Sequence, residues 1–295
     1  KYYVRKEKDD HYEELVVERK LIDDIYYNFF YTDTSNEFPH GDYGTVDLVM
    51  LVPGCHDGKR MDTFLANTFN SKAHNVQNGC QWEQGMQRQI KFEGIYCFLD
   101  QAPSIYDKFI IELYTDMSSL FSWSQMEFLK MWSQKKNEAK RVPLFCGYKI
   151  PNGETRWQVA MLKANDFPIK SEKTRCGGRP IIKKMFTKTL IDWATPYNCS
   201  YNYFFGRGSL PSKVAEKKTL IIGIGAIGSM VATTLVRCGA KYLDYYDVDL
   251  KEPGNICRSD YDFLSGVSDK TYELSSILHS ISPFVQCEIP SKALD

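Results

Sequence analysis

One stretch near the C-terminus constrains this chain more than the rest of it. A short apolar run, Leu220-Ile221-Ile222, passes directly into Gly223-Ile224-Gly225-Ala226-Ile227-Gly228. The spacing is G-x-G-x-x-G. Glycines at those three offsets allow a tight turn, a close backbone approach to a ligand, and close packing of a helix on a strand. From Ser229 to Cys238 the spacing is helical, with Met230, Thr234 and Leu235 on one face and Ala232 and Val236 beside them. Gly239 stops that helix, because glycine tolerates positive φ. A second strand, Tyr242 to Tyr246, ends at Asp247. The pattern predicts a strand–turn–helix–strand unit. In such a unit a phosphate sits at the helix N-terminus and an acid about 20 residues on accepts hydrogen bonds from ribose hydroxyls.

The next residues narrow the ligand. Asp247-Val248-Asp249 runs on to Asn255 and Arg258, and Lys270 opens the following helix. A dehydrogenase needs the ribose acid but has no use for an Asn, an Arg and a Lys at these offsets. A triphosphate does: Arg offers a planar fork and Lys a point charge for phosphate oxygens. In combination these residues resemble the ThiF/MoeB/HesA proteins and the adenylation domains of ubiquitin-activating enzymes. Those carry G-x-G-x-x-G, then D-x-D, then N-x-x-R, then a Lys at the start of the next helix. The segment Ser280 to Glu288 is similar to the strand entry that follows in the same family, so the resemblance runs from Thr219 to Pro290.

The resemblance implies an α/β fold: a C-terminal Rossmann-like nucleotide-binding half-domain, here preceded by a separate mixed α/β domain. It implies ATP and Mg²⁺ as cofactors. Gly223, Gly225, Gly228 and Asp247 would hold the nucleotide, Asp247 through ribose. Asn255, Arg258 and Lys270 would bind the ATP phosphates and stabilise the adenylation transition state. Asp249 would order the loop or a metal-bound water. The family also uses an arginine upstream of the first strand, for which Arg207 is the nearest candidate. A later Asp, after a further strand, lies near Mg²⁺ in the family. The sequence given stops at Asp295, so the expectation is part of a longer protein. The implied activity is ATP-dependent adenylation of the C-terminal carboxylate of a ubiquitin-like or sulfur-carrier protein, by a homodimer or pseudo-dimer. Two alternatives stay open: an inert adenylation-like scaffold of a heterodimer, and an NAD- or FAD-dependent oxidoreductase.

The remainder carries no motif of comparable specificity. Residues 1–200 read as a mixed α/β domain, 201–215 as a linker rich in Gly and aromatics, and 216–295 as the adenylation-like part. Lys1 to Lys20 is charged and, with Leu15, Val16, Leu21, Ile22 and Ile25 at helical offsets, reads as an amphipathic helix; the carboxylate pairs Asp9-Asp10 and Asp23-Asp24 read as its solvated face. Asp47 to Val52 and Phe92 to Leu99 read as buried strands, and Ile105 to Lys136 as one or two helices. Val142 to Ile150 and Thr155 to Leu162, around Asn152-Gly153, form a hairpin signal. Residues 1–200 are expected to bind a protein, or to resemble a ubiquitin-conjugating enzyme, either as a fused domain or as a conjugating-type partner. The latter needs an exposed nucleophilic cysteine, for which Cys80 has the most polar surroundings.

Composition excludes some classes. Formal net charge is zero, so nothing argues for broad nucleic-acid or anionic-membrane binding. The 9 cysteines are scattered, with no C-x-x-C pair. That fits a reducing, cytoplasmic setting and offers no zinc site. Cys97 and Cys146 read as buried small hydrophobes. His56 and His74 flank a polar loop without ligand spacing. The longest apolar stretch, Leu220 to Val236, is broken by glycines and falls short of the ~20 residues a membrane helix needs.

Overall fold

Period-two alternation dominates the first two-thirds of the chain: Val142, Leu144, Cys146 and Tyr148 share one face, while Phe145 faces the other way. The computed structural model describes residues 2–8, 11–17, 21–32, 38–71, 75–77, 90–100, 121–135, 140–150, 153–163, 169–176, 179–186 and 192–288. The described residues up to Cys199 form one unit and those from Ser200 a second. No helix among the described residues is long and apolar enough to cross a membrane.

The first unit contains β1 (Tyr2–Lys8), β2 (His11–Val17), β3 (Ile25–Tyr31), β4 (Tyr43–Met50), β5 (Gly54–His56), β6 (Lys59–Ser71), β7 (Asn75–Gln77) and β8 (Ile90–Phe98). Helix α1 (Trp123–Lys135) follows, then β9 (Arg141–Lys149), β10 (Thr155–Lys163), β11 (Ile169–Cys176), β12 (Arg179–Phe186), β13 (Asp192–Trp193) and β14 (Thr195–Asn198). The main sheet has the order β13-β10-β9-β8-β4-β6-β3-β14. Only Ala194 separates β13 from β14, and its N–H donates to the Val159 carbonyl at 3.0 Å. One short segment therefore pairs with β10 at its start and with β3 at its end, closing the sheet into a barrel. The segment covers β10 at Ala160 and Met161 and β3 from Asn28 to Tyr31, which shortens the edges on which another chain could add.

The barrel interior is aromatic. Phe69 stacks on Trp157 with ring centroids 4.6 Å apart, and Phe29 meets Phe145 edge-on at 5.3 Å. Each such buried ring stabilises by roughly 1.5–3 kcal/mol relative to exposure. Gly147 makes room for them, since a Cβ there would lie 2.5 Å from the Trp157 ring. Outside, Leu129 and Trp132 of α1 cover Val142, Leu144 and Cys146.

Several sequence expectations change here. β1 pairs antiparallel with β2, so residues 2–8 and 11–17 are strands, not a helix; Asp9 and Asp10 lie outside the described residues. The β-branched and aromatic residues Tyr2, Tyr3, Val4, Val16 and Val17 suit paired strands better than an isolated charged helix. Asp23 and Asp24 are not on a helix face. They have φ of 50° and 62° and form the centre of a turn in which Ile22 and Ile25 exchange both backbone hydrogen bonds. Asp tolerates this left-handed conformation, which matches strand twist in two-residue turns. The observed β4, β8 and the β9–β10 hairpin agree with the reading of those segments. Only α1 of the helical reading from Ile105 to Lys136 is described; 105–120 lie outside the described residues, as do Cys80 and His74. The first unit is thus a mixed sheet with one described helix, richer in strand than expected.

The second unit begins with α2 (Tyr201–Phe205), a 3₁₀ turn (Gly206–Gly208) and α3 (Ser212–Ala215). β15 (Lys218–Ile222), α4 (Ala226–Arg237) and β16 (Tyr242–Tyr246) follow, then β17 (Leu250–Lys251), α5 (Pro253–Ile256), β18 (Ser268–Asp269) and α6 (Lys270–Ile281). β15 and β16 run parallel, with Lys218 opposite Tyr242 and Ile222 opposite Tyr246. Ala232 and Val236 of α4, Leu243 and Tyr245 of β16, and Leu274 and Leu278 of α6 make the core. The stretch read as a linker is structured. Tyr201 donates its hydroxyl to the Gly239 carbonyl, and Phe204 and Phe205 pack against Phe284. Its aromatics dock it; the glycines that suggested a linker sit in the turn between helices.

Candidate functional site

The glycine loop joins β15 to α4. Gly223 has φ of 83°, a conformation glycine adopts at no steric cost. Its N–H donates to the Tyr246 carbonyl at 2.8 Å, which extends the β15–β16 ladder by one bond. A Cβ on Gly228 would lie 2.0 Å from the Gly223 carbonyl oxygen, so only glycine lets the helix start here. A Cβ on Gly225 would meet nothing within 4 Å. Folding does not require a glycine at 225 for space, whereas a ligand approaching the backbone would. The Gly225 N–H has no hydrogen-bond partner among the described residues. Free N–H groups here, with the helix dipole behind them, favour an anion.

Asp247 lies at the end of β16 with its side chain 8% exposed. One carboxylate oxygen accepts from Ile224 N–H at 2.8 Å and the other from Asp249 N–H at 2.9 Å. The Lys270 ammonium, 6% exposed, stands 3.8 Å from Asp247 and 3.2 Å from the Asp249 carboxylate. So the loop, the strand end and the start of α6 meet at one acid. Lys270 is already charge-compensated; Asp249 is mostly exposed.

Asn255 closes the first turn of α5, with its Oδ1 accepting from Glu252 N–H at 2.9 Å. That bond fixes the side chain and leaves its amide nitrogen without a partner among the described residues. Arg258 follows, exposed, with no ion pair among the described residues. Cys257 between them is exposed. Arg207 lies in the 3₁₀ turn, and its side chain falls outside the described residues. The structure thus brings the glycine loop, through Ile224, together with Asp247, Asp249 and Lys270, with Asn255 and Arg258 on the adjoining segment. No cluster of three or more His, Cys, Asp or Glu side chains suited to a metal ion occurs among the described residues.

Sequence reasoning missed how the segment between β17 and α6 is held. Lys251 is fully buried and donates to Glu273 at 2.8 Å and to the Asp262 carbonyl at 2.8 Å. Ser265 and Ser268 also donate to Glu273. Burial alone would raise the Glu273 carboxyl, but the hydrogen bonds from Lys251, Ser268 and Ser265 outweigh it and hold it below the ordinary value. Thr233 of α4 donates to the Asp260 carboxylate, and Tyr261 donates to the Ile224 carbonyl at 2.6 Å. A Glu in the first turn of α6 was the one visible signal of this clamp.

With that geometry in view, residues 201–292 match the ThiF family. The ATP-dependent ubiquitin transferase-like protein Cap2 of Enterobacter hormaechei subsp. hoffmannii is 33% identical over 93 residues, 32% of this chain and 16% of that protein. Ubiquitin-like modifier-activating enzyme 5 of Caenorhabditis elegans is 33% identical over 78 residues, 26% of this chain and 18% of its own length. The chain therefore spans less than a fifth of either relative. Among solved structures, E. coli MccB with MccA aligns at 23% identity and TM-score 0.27, over 28% of this chain and 25% of that one. E. coli tRNA N6-threonylcarbamoyladenosine dehydratase aligns at 21% and 0.28, over 32% and 39%.

Proposed function

We propose that this chain, whose residues 201–292 are of the ThiF family, carries the nucleotide loop of an ATP-dependent activator of a ubiquitin-like or sulfur-carrier protein. The observation that carries the reading is the Asp247 carboxylate, which ties the glycine loop at Ile224 to the Lys270 ammonium. A nicotinamide site has no use for that lysine. The names of the two curated relatives, an ATP-dependent ubiquitin transferase-like protein and a ubiquitin-like modifier-activating enzyme, support the same class.

On this reading the carrier's C-terminal carboxylate displaces pyrophosphate from the α-phosphate, leaving an acyl adenylate. The chemistry needs position and positive charge more than a side-chain nucleophile. Gly223, Gly225 and Gly228 shape the backbone cradle, and the free N–H of Gly225 faces a phosphate. Asp247 holds the loop and takes ribose. Asn255 and Arg258 offer an amide nitrogen and a planar guanidinium to phosphate oxygens. Lys270 exchanges Asp249 for phosphate as the nucleotide enters. Were Mg²⁺ bound, Asp249, the exposed acid of this group, would hold it, and the ion would supply positive charge to the phosphates. Residues 1–200 take the carrier or a downstream acceptor protein, and the active assembly is a homodimer or pseudo-dimer.

Arg258 gives the sharpest test, since it is exposed and its loss leaves no buried partner behind. In the full-length protein with its carrier, Arg258→Ala should cut ATP–pyrophosphate exchange by about 100-fold or more, the range for one transition-state charge contact. Unchanged exchange would sink the reading. A second reading, an inert scaffold, draws on Lys270 being neutralised already by Asp247 and Asp249. It predicts no calorimetric ATP binding by the full-length protein.

A further inference from the structure

Two consecutive peptide groups of the glycine loop are each gripped by a side chain. The Gly223–Ile224 peptide gives its N–H to Asp247 at 2.8 Å. Its carbonyl points the other way, toward Gly228, where a Cβ would lie 2.0 Å from it. The next peptide, Ile224–Gly225, gives its carbonyl to the Tyr261 hydroxyl at 2.6 Å. A trans peptide sets its N–H opposite its C=O, and no cis bond occurs among the described residues. Holding the Ile224 carbonyl inward therefore turns the Gly225 N–H outward. That N–H has no partner among the described residues, and the space beside the Gly225 α-carbon is open.

Tyr261 is well placed to do this. It is 4% exposed, within the core that includes Ile224, Ala232 and Tyr245. Burial holds its hydroxyl well above the ordinary tyrosine range, so it is a permanent donor. Its own segment is fixed twice nearby. Asp260 N–H donates to the Ser229 hydroxyl at 3.3 Å, and Thr233 donates to the Asp260 carboxylate. These bonds anchor the loop after Arg258 onto α4, so Tyr261 presents its hydroxyl from a rigid base. Phenylalanine would fill the same volume and leave the Ile224 carbonyl buried without its donor.

We propose that Tyr261 is a positioning residue for the nucleotide loop: it orients the Ile224–Gly225 peptide so that the Gly225 N–H faces the phosphate. This rests on the nucleotide reading given above. It links the loop that carries Arg258 to the glycine cradle, so the two phosphate-binding segments are set by one side chain.

The test compares wild type with Tyr261→Phe in the full-length protein, with and without ATP. Without nucleotide, NMR of the Gly225 amide should show one sharp resonance in wild type and a shifted or exchange-broadened one in the variant. In pyrophosphate exchange the KM for ATP should rise about tenfold while kcat falls less than threefold, the pattern of lost binding in the ground state. Tyr261→Trp, which keeps an N–H donor but misplaces it, should not restore KM. An unchanged Gly225 amide in a folded Tyr261→Phe protein overturns the proposal whatever the kinetics. A changed amide with unchanged KM overturns the role in nucleotide binding. If wild type itself binds no ATP, the functional reading fails, and the amide comparison still decides whether Tyr261 orients this peptide.

Discussion

Lys251 and Glu273 show how much a pair of residues can hold. Both are buried and 2.8 Å apart. A lysine with its carboxylate removed would be left charged and dry, which costs about 3–5 kcal/mol. Glu273→Gln should therefore destabilise the second unit by that order at neutral pH. The sign of the pH dependence follows from the Glu273 carboxyl being held below its ordinary value. Its stabilisation is complete above the unfolded carboxyl pKa and is lost as pH falls through the folded value. Melting curves from about pH 7 to about pH 3 should show the gap between wild type and Glu273→Gln closing at the acid end. A gap that stays constant would mean the pair contributes no proton-linked stability. Neither residue was singled out in the sequence, because their partnership spans 22 positions and no periodicity connects them.

At the scale of elements, the β15–loop–α4–β16 unit was legible because its signal is local: strand, three glycines, helix, strand and acid follow one another. The glycines nevertheless do different work, and the sequence does not rank them. Gly228 abuts the Gly223 carbonyl, while Gly225 abuts nothing. Gly228→Ala should cost roughly 1–3 kcal/mol or more, as overpacking of rigid backbone does. Gly225→Ala should cost less than about 1 kcal/mol yet weaken ATP binding by calorimetry. Equal stability losses in the two variants would refute this division of roles. The β1–β2 hairpin was read as a helix because a short charged segment matches either period when its partner strand is not in view. Barrel closure was not legible at all. It depends on β13, a two-residue strand, and on a register with β3 set by contacts more than 150 positions away in sequence, the order of distance that local propensity cannot report.

At the scale of the whole molecule, the two units have separate cores, one aromatic and barrel-shaped, the other around α4, α6 and β16. The proposed division of labour puts the nucleotide in the second and a protein in the first. Arg141 lets this be tested without touching the nucleotide loop. It forms a two-point contact with Asp23, at 2.5 and 3.1 Å, and pairs with Asp192 at 2.8 Å. It thereby ties the turn before β3 to the strand that closes the barrel. The Arg141 hydrogen bond is the main reason the Asp23 carboxyl lies below its ordinary value. Asp23 is nearly half exposed, so solvent screening keeps the worth of the network near the lower end of buried pairs. Arg141→Ala should lower the stability of the first unit by about 1–3 kcal/mol, followed through the fluorescence of its buried Trp157 and Trp193. ATP affinity measured by calorimetry should stay within about twofold, since additivity holds for sites that share no partners. A parallel fall in ATP affinity would show that the barrel takes part in nucleotide binding, and the assignment of separate tasks would have to be withdrawn.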